Sequence, residues 1–283
     1  MISHEEPAEK KPQKSQLLIL EQTEETALTE LKRNATGLSL SAFTAGLDLG
    51  FSVMMMMVVY TLFHGYWSEP AVETFVANMY PIGFILVILG RSELYTEHAT
   101  LAMLPVLQGL ASVKKLFRLW GLVFLFNIIG GLLFALLLSY CIGELKFLKA
   151  SAIAHLVEVY LDYSPKVLLL TAILSGWLMG LLAWLVTAAR ETISQLFIIW
   201  LITAAYSLAG LPHCIIGNIE MGTQLFLGEV SFWQYLKFLG PVTFGNTIGG
   251  VIFVAVLKFA HIMRSGTEKK VDLSAEVEKK SSV

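Results

Sequence analysis

The 283-residue chain is 55% hydrophobic and only 15% charged, with a mean hydropathy of +0.67 and a formal net charge of −2. A soluble domain needs more charged surface than this, so lipid must be the solvent around most of the chain. The near-neutral balance leaves no electrostatic footprint for a nucleic-acid partner. The two cysteines, Cys141 and Cys214, lie in or beside apolar runs and argue against a disulfide framework.

In chain order, residues 1–37 form a polar arm. Its opening residues, including His4, Glu5, Glu6 and Lys10, do not make a basic-then-apolar signal pattern, so the arm is expected to be retained. Within it, Leu17, Leu18, Ile19 and Leu20 followed by Glu21, Glu24, Glu25, Leu28 and Leu31 predict an amphipathic cytoplasmic helix over 17–33. Six membrane crossings follow, each needing about 20 apolar residues. They are read at 39–63, 74–107, 116–140, 167–189, 193–226 and 234–262. The first three make a transmembrane repeat over 38–140 and the last three a second over 167–263. A periplasmic connecting loop, 141–166, lies between them, and a cytoplasmic tail, 264–283, closes the chain. Basic residues collect in the arm (Lys10, Lys11, Lys14, Lys32, Arg33), between crossings two and three (Lys114, Lys115, Arg118), at Arg190 and in the tail. The loops at 64–73 and 227–233 contain no Lys or Arg, so the positive-inside rule predicts both termini cytoplasmic.

Crossings two and five are too long for one straight passage, and each is interrupted by polar or helix-breaking residues. The first break is Gly90-Arg91-Ser92-Glu93-Leu94-Tyr95-Thr96-Glu97-His98, and the second is Ser207-Leu208-Ala209-Gly210-Leu211-Pro212-His213. Backbone that leaves the helix at membrane depth is tolerated only inside protein or along an aqueous cavity. One such break per half points to a transport site.

The halves are related. Asn127-Ile128-Ile129-Gly130-Gly131 recurs as Asn246-Thr247-Ile248-Gly249-Gly250, an offset of 119 that also relates Gly121 to Gly240 and Phe134 to Phe253. Crossings one and four share Gly46-x-x-x-Gly50 and Gly176-x-x-x-Gly180, small-residue spacing that serves close helix packing. Three crossings per copy is an odd number, so the second copy enters from the opposite face. The expected fold is an all-α, aquaporin-like six-helix protomer with an inverted three-plus-three repeat and two broken helices.

With these residues in place, the stretch from about 20 to 263 resembles the formate/nitrite transporter family, and more narrowly its YfdC-type branch. The resemblance is carried by Gly90-Arg91-Ser92-Glu93-Leu94-Tyr95-Thr96, Leu211-Pro212-His213 and Gly245-Asn246-Thr247-Ile248-Gly249-Gly250. It implies an aquaporin-like homopentamer with one pore per subunit, moving small monovalent anions coupled to or accompanied by protons. It also implies a pore role for His213, a hydrogen bond from Thr96 to His213 or the substrate, and an apolar constriction at Leu94 and Tyr95. The amphipathic arm would reach a neighbouring subunit. Aquaporin membership itself is disfavoured, because no Asn-Pro-Ala occurs.

Each reading has a plainer rival. His213, with an ordinary pKa of about 6.5, can give a proton to a weak-acid anion, or it can simply cap backbone carbonyls in the break. Thr96 can equally satisfy the broken helix, and Leu94 and Tyr95 can be ordinary packing. Asp48, Glu97 and Glu220 are intramembrane carboxylates, hence proton-path or cation-site candidates, or else paired structural groups. Glu93 is expected to pair with Arg91. Residues 54–57, four consecutive methionines, circle the helix and read as packing or lipid contact. Cys214 beside His213 lacks the further ligands a metal needs, so no metal or cofactor is expected.

The chain also departs from the family. Ser175-Gly176 stands where relatives carry Cys-Asn, and the family lysine before crossing four falls near Glu158 to Tyr160, with Lys166 out of register. Losing that charge weakens anion capture. The expected protein is therefore no enzyme. It is a pentameric, multi-pass bacterial inner-membrane channel or transporter for small anions or their conjugate acids, proton-linked through a central histidine. Its partners are that solute, the bilayer and other copies of itself. The alternatives are a pore of the same fold for a neutral or cationic solute, and a non-transporting membrane scaffold.

Overall fold

The structure, a computed structural model, describes residues 13–265. The beginning of the predicted arm, 1–12, and the predicted tail after Ser265 lie outside the described residues. Helix α1, Gln16–Lys32, begins at Ser15, whose side chain accepts from the Leu18 amide, and buries Ile19, Leu20, Thr23, Ala27 and Leu31. It lies against the ends of the membrane helices and is tied there by Lys14, which donates to the carbonyls of Thr187 (2.5 Å) and Ala189 (3.1 Å).

The first crossing is built from α2, Ala35–Asp48, and α3, Gly50–Phe63, which meet at Leu49. The second starts with α4, Glu69–Ala77, and α5, Pro81–Gly90. Proline at the start of α5 bends the join, and Ser52 repairs it. Its hydroxyl donates to the Tyr80 carbonyl at 2.6 Å and accepts from the Gly83 amide at 2.8 Å. After the first break come the short helices α6, Tyr95–Leu101, and α7, Met103–Leu107. The third crossing, α8, runs unbroken from Val113 to Cys141.

The stretch read as a connecting loop contains a helix, α9, Ala150–Asp162, which buries Ala152, Ile153 and Val157. At 13 residues it is too short to cross the bilayer, and it packs across the ends of α3, α12 and α13 instead. The second half has α10, Pro165–Ala188, and α11, Thr192–Leu208; beyond the second break come α12, Cys214–Leu227, and α13, Phe232–Ile248. The last helix widens into π-helical turns over Gly249–Val256 before α14, Leu257–Ser265. No strand forms among the described residues. Among the described residues, five spans are long and apolar enough to cross a membrane. The 17-residue α11 is shorter, so the fifth crossing is completed only across its break by α12.

Glycines set how closely the halves pack. A Cβ at Gly46 would run into the Asn127 carbonyl, and one at Gly130 into the Phe43 carbonyl. The second half repeats this, with Gly176 against the Asn246 carbonyl and Gly249 against the Ile173 carbonyl. Gly176 thus sits at a helix crossing.

Candidate functional site

The two breaks are copies in their hydrogen bonding. In the first, α5 ends with Arg91 at φ 57°, the left-handed region a helix C-terminus uses; in the second, α11 ends with Gly210 at φ 61°. The next residue folds back in both, the Ser92 amide donating to the Val87 carbonyl (2.9 Å) and the Leu211 amide to the Tyr206 carbonyl (3.3 Å). An asparagine from the neighbouring crossing then holds each loop. Asn127 accepts from the Tyr95 amide at 2.8 Å and donates to the carbonyls of Ala42 (2.7 Å) and Glu93 (2.9 Å). Asn246 accepts from the Cys214 amide at 2.9 Å and donates to the carbonyls of Ala172 (3.0 Å) and Pro212 (3.1 Å). Each buried carboxamide thus satisfies backbone groups that no water reaches. The sequence displayed both asparagines as a repeat and nothing more. The available signal was a polar residue at the same place in two apolar helices.

The tips of the breaks differ. Leu94, fully buried, opens α6 without a side-chain cap. His213, at the corresponding place, opens α12, and its Nδ1 accepts from the amides of Ile215 and Ile216, both at 3.2 Å. The imidazole therefore caps N–H groups rather than carbonyls. Because Nδ1 spends its lone pair there, the proton of the neutral ring sits on Nε2, which donates to Thr96 Oγ1 at 2.9 Å. Phe84 meets the ring edge-on, with centroids 5.2 Å apart. Ser175 stabilises the same break, donating to the Pro212 carbonyl at 2.6 Å and hydrogen-bonding the Tyr206 hydroxyl. Sequence reasoning missed Phe84 and Tyr206 as parts of this site, since nothing in their local pattern sets them apart from packing, and it singled out Ser175 only as a departure from the family, not as a support of the break. Tyr95 is buried, with its hydroxyl 2.8 Å from Thr247 Oγ1 and its ring against Phe124.

A cavity opens on each side of this closed centre. On the α1 side, about 800 Å³ is lined by Lys14, Glu30, Arg33, Arg91, Glu93, Glu97 and His98, among others. Glu93 pairs with Arg33 at 2.7 Å and with His98, not with Arg91 as the sequence reading expected. The left-handed backbone at Arg91 turns that residue outward, where it is exposed. Burial, reinforced by the nearby Glu93 charge, holds the Glu30 carboxyl above the usual range, opposed by its hydrogen bond to Arg33. Glu97 stands in the first turn of α6.

On the α9 side, about 370 Å³ is lined by residues that include Tyr80, Tyr160, Glu158, Asp162 and Glu220. Glu97 and Glu220 thus belong to opposite cavities. Asp48, half-buried at the end of α2, lines neither. Among the described residues no cluster of His, Cys, Asp or Glu suits a metal ion.

Comparisons with known proteins identify the family and the fold. A family model described as formate/nitrite transporter matches residues 17–260. The chain is 30% identical to the inner membrane protein YfdC of Escherichia coli K12 over 248 residues, covering 85% of this chain and 77% of that protein. It is 28% identical to the nitrite transporter NirC of Salmonella typhimurium over 229 residues, 79% of this chain and 82% of the other. Among solved structures, an FNT family ion channel superposes with a TM-score of 0.77 at 21% identity, over 86% of this chain and 98% of that one. A pentameric formate channel with formate bound gives 0.68 at 19% identity, over 81% and 98%. NirC is named as a transporter and both solved structures as channels. The chain belongs to the formate/nitrite transporter family.

Proposed function

We propose that this protein conducts a small monovalent anion, or its conjugate acid, across a bacterial inner membrane, with His213 as the polar contact at the centre of the pore. The observation that carries the reading is the hydrogen-bond chain Ile215/Ile216 N–H to Nδ1, then Nε2–H to Thr96. It presents one oriented N–H donor in a buried neck where Phe84 packs edge-on against the ring. An anion crossing such a neck loses hydration worth many kcal/mol. A donor that can turn from Thr96 to the permeant offsets part of that loss, and a proton passed from Nε2 would neutralise the permeant once Nδ1 releases its two amides and takes a proton from water, so that the ring ends neutral. The names of NirC and of the formate channel support formate or nitrite as the solute class. The second of these, with the apolar helix faces left exposed on the protomer, supports a homopentamer, and the basic residues Lys32, Arg33, Lys114, Lys115 and Arg118 support both termini cytoplasmic. In this arrangement 38–140 and 167–263 act as the two repeats of each pore.

Flux into liposomes, screened over formate, nitrite, acetate, lactate and hydrosulfide, tests the reading. Replacing His213 by Phe should lower anion flux by about tenfold or more and erase its pH dependence; unchanged flux would reduce the histidine to a helix cap. The α9-side mouth carries acids in place of the family lysine, so wild-type anion flux should be weak and Glu158→Lys should raise it. Strong flux that ignores this substitution would remove the electrostatic part of the reading.

A further inference from the structure

The α9-side cavity holds chemistry that anion permeation does not use. Glu220 is 2% exposed, and its Oε2 has no hydrogen-bond partner. Tyr80 is 3% exposed, and its hydroxyl is likewise unpartnered. Both line the cavity, together with Tyr160, whose hydroxyl is the hydrogen-bonding neighbour of the Glu220 carboxyl. A buried carboxylate with one oxygen bare is costly unless a proton or a cation sits against it.

The surroundings favour positive charge. Glu73, Glu158 and Asp162 line the same cavity, whose lining includes no Lys or Arg, and its histidine, His155, is already bound to Glu73 at 2.6 Å. The wall opposite α9 is the C-terminal end of α11, through Ser207 and Leu208, and a helix C-terminus carries partial negative charge.

We propose that Glu220, Tyr80 and Tyr160 form a binding site for a small primary ammonium cation at the floor of this cavity. Three N–H donors of an ammonium head match one carboxylate oxygen and two phenol oxygens. Tyr206 stacks against Tyr80 at 5.6 Å and holds it in place. Calcium takes six to eight oxygen ligands, more than one carboxylate and two phenols supply. The cavity, about 370 Å³, accommodates a cation of a few heavy atoms.

The test is thermal unfolding of the purified full-length protein in detergent, at one mildly alkaline pH, titrated with methylammonium chloride against sodium chloride of equal ionic strength. The melting temperature should rise saturably with methylammonium and not with tetramethylammonium, which has the charge but no N–H. Glu220→Gln should weaken the apparent affinity about tenfold or more, and Tyr80→Phe about threefold or more. No saturable rise over sodium chloride, an equal rise with tetramethylammonium, or unchanged affinity in these variants overturns the site. Should Glu220→Gln fail to fold, Tyr80→Phe decides. Binding rather than flux is the readout, so the result is separate from whether the pore conducts anions.

Discussion

The first and second breaks share a backbone and differ at the tip. Each leaves its helix through a left-handed residue, turns back by one amide hydrogen bond, and hangs from an asparagine on the neighbouring crossing. At the tip, one carries Leu94 and the other His213. The uncapped α6 has Glu97 in its first turn, whereas α12 is capped by the imidazole itself. The scaffold of a broken helix is therefore one solved problem used twice, and the polar contact is an addition to one copy only. What makes that contact possible is Thr96 on the first break, which reaches across to the second.

Breaking the shared part should have the largest effect. Asn127→Ala strands the Tyr95 amide and the Glu93 carbonyl inside the membrane, and Asn246→Ala strands the Cys214 amide, at about 1–3 kcal/mol per orphaned group. Both variants should unfold at clearly lower temperature in detergent, and Asn127→Ala more so, because in the second break Ser175 still donates to the Pro212 carbonyl at 2.6 Å. If either tolerates alanine without loss, the asparagines are not what holds the breaks.

Making the tips alike comes next. His213→Leu turns the second break into a chemical copy of the first, and formate or nitrite flux should fall about tenfold or more, with assembly retained. Retained flux would show that the difference between tips is irrelevant to permeation. Thr96→Val should cost less, about fivefold, because one hydrogen bond of about 1 kcal/mol is lost and the imidazole donor remains. A loss equal to that of His213→Leu would instead make the pair one unit.

The smallest change concerns the residues that open the breaks. Gly210 adopts its left-handed backbone freely, while Arg91 holds the same conformation with a side chain. Arg91→Gly should leave thermal stability unchanged or raise it by up to about 1 kcal/mol. A marked fall would mean that the Arg91 side chain, on the edge of the α1-side cavity, makes a contact worth more than the backbone strain.

Much of this was legible in the residues. The apolar runs located the crossings, because a membrane demands length and hydrophobicity that few other environments do. The offset between Asn127 and Asn246 exposed the repeat, and polar residues in the middle of two overlong helices exposed the breaks. Local pattern also hid things. The connecting segment holds α9, whose apolar face is short and meets its partners only in three dimensions. Glu93 chose Arg33, 60 residues away, over Arg91 two residues away, since neighbours along a helix end do not face each other.

Sequence by itself therefore determined the class of protein, the number of passages and where each helix must fail. These follow from composition and period, which are properties of short stretches read against one solvent. Only the tertiary structure decided which atoms meet at the failures. Thr96 lies 117 residues from His213, and Glu97 and Glu220 open to opposite cavities although both are acids in broken helices. Such partners are set by the packing of helices from both halves, with glycines admitting one backbone against another, and no local spacing encodes that approach.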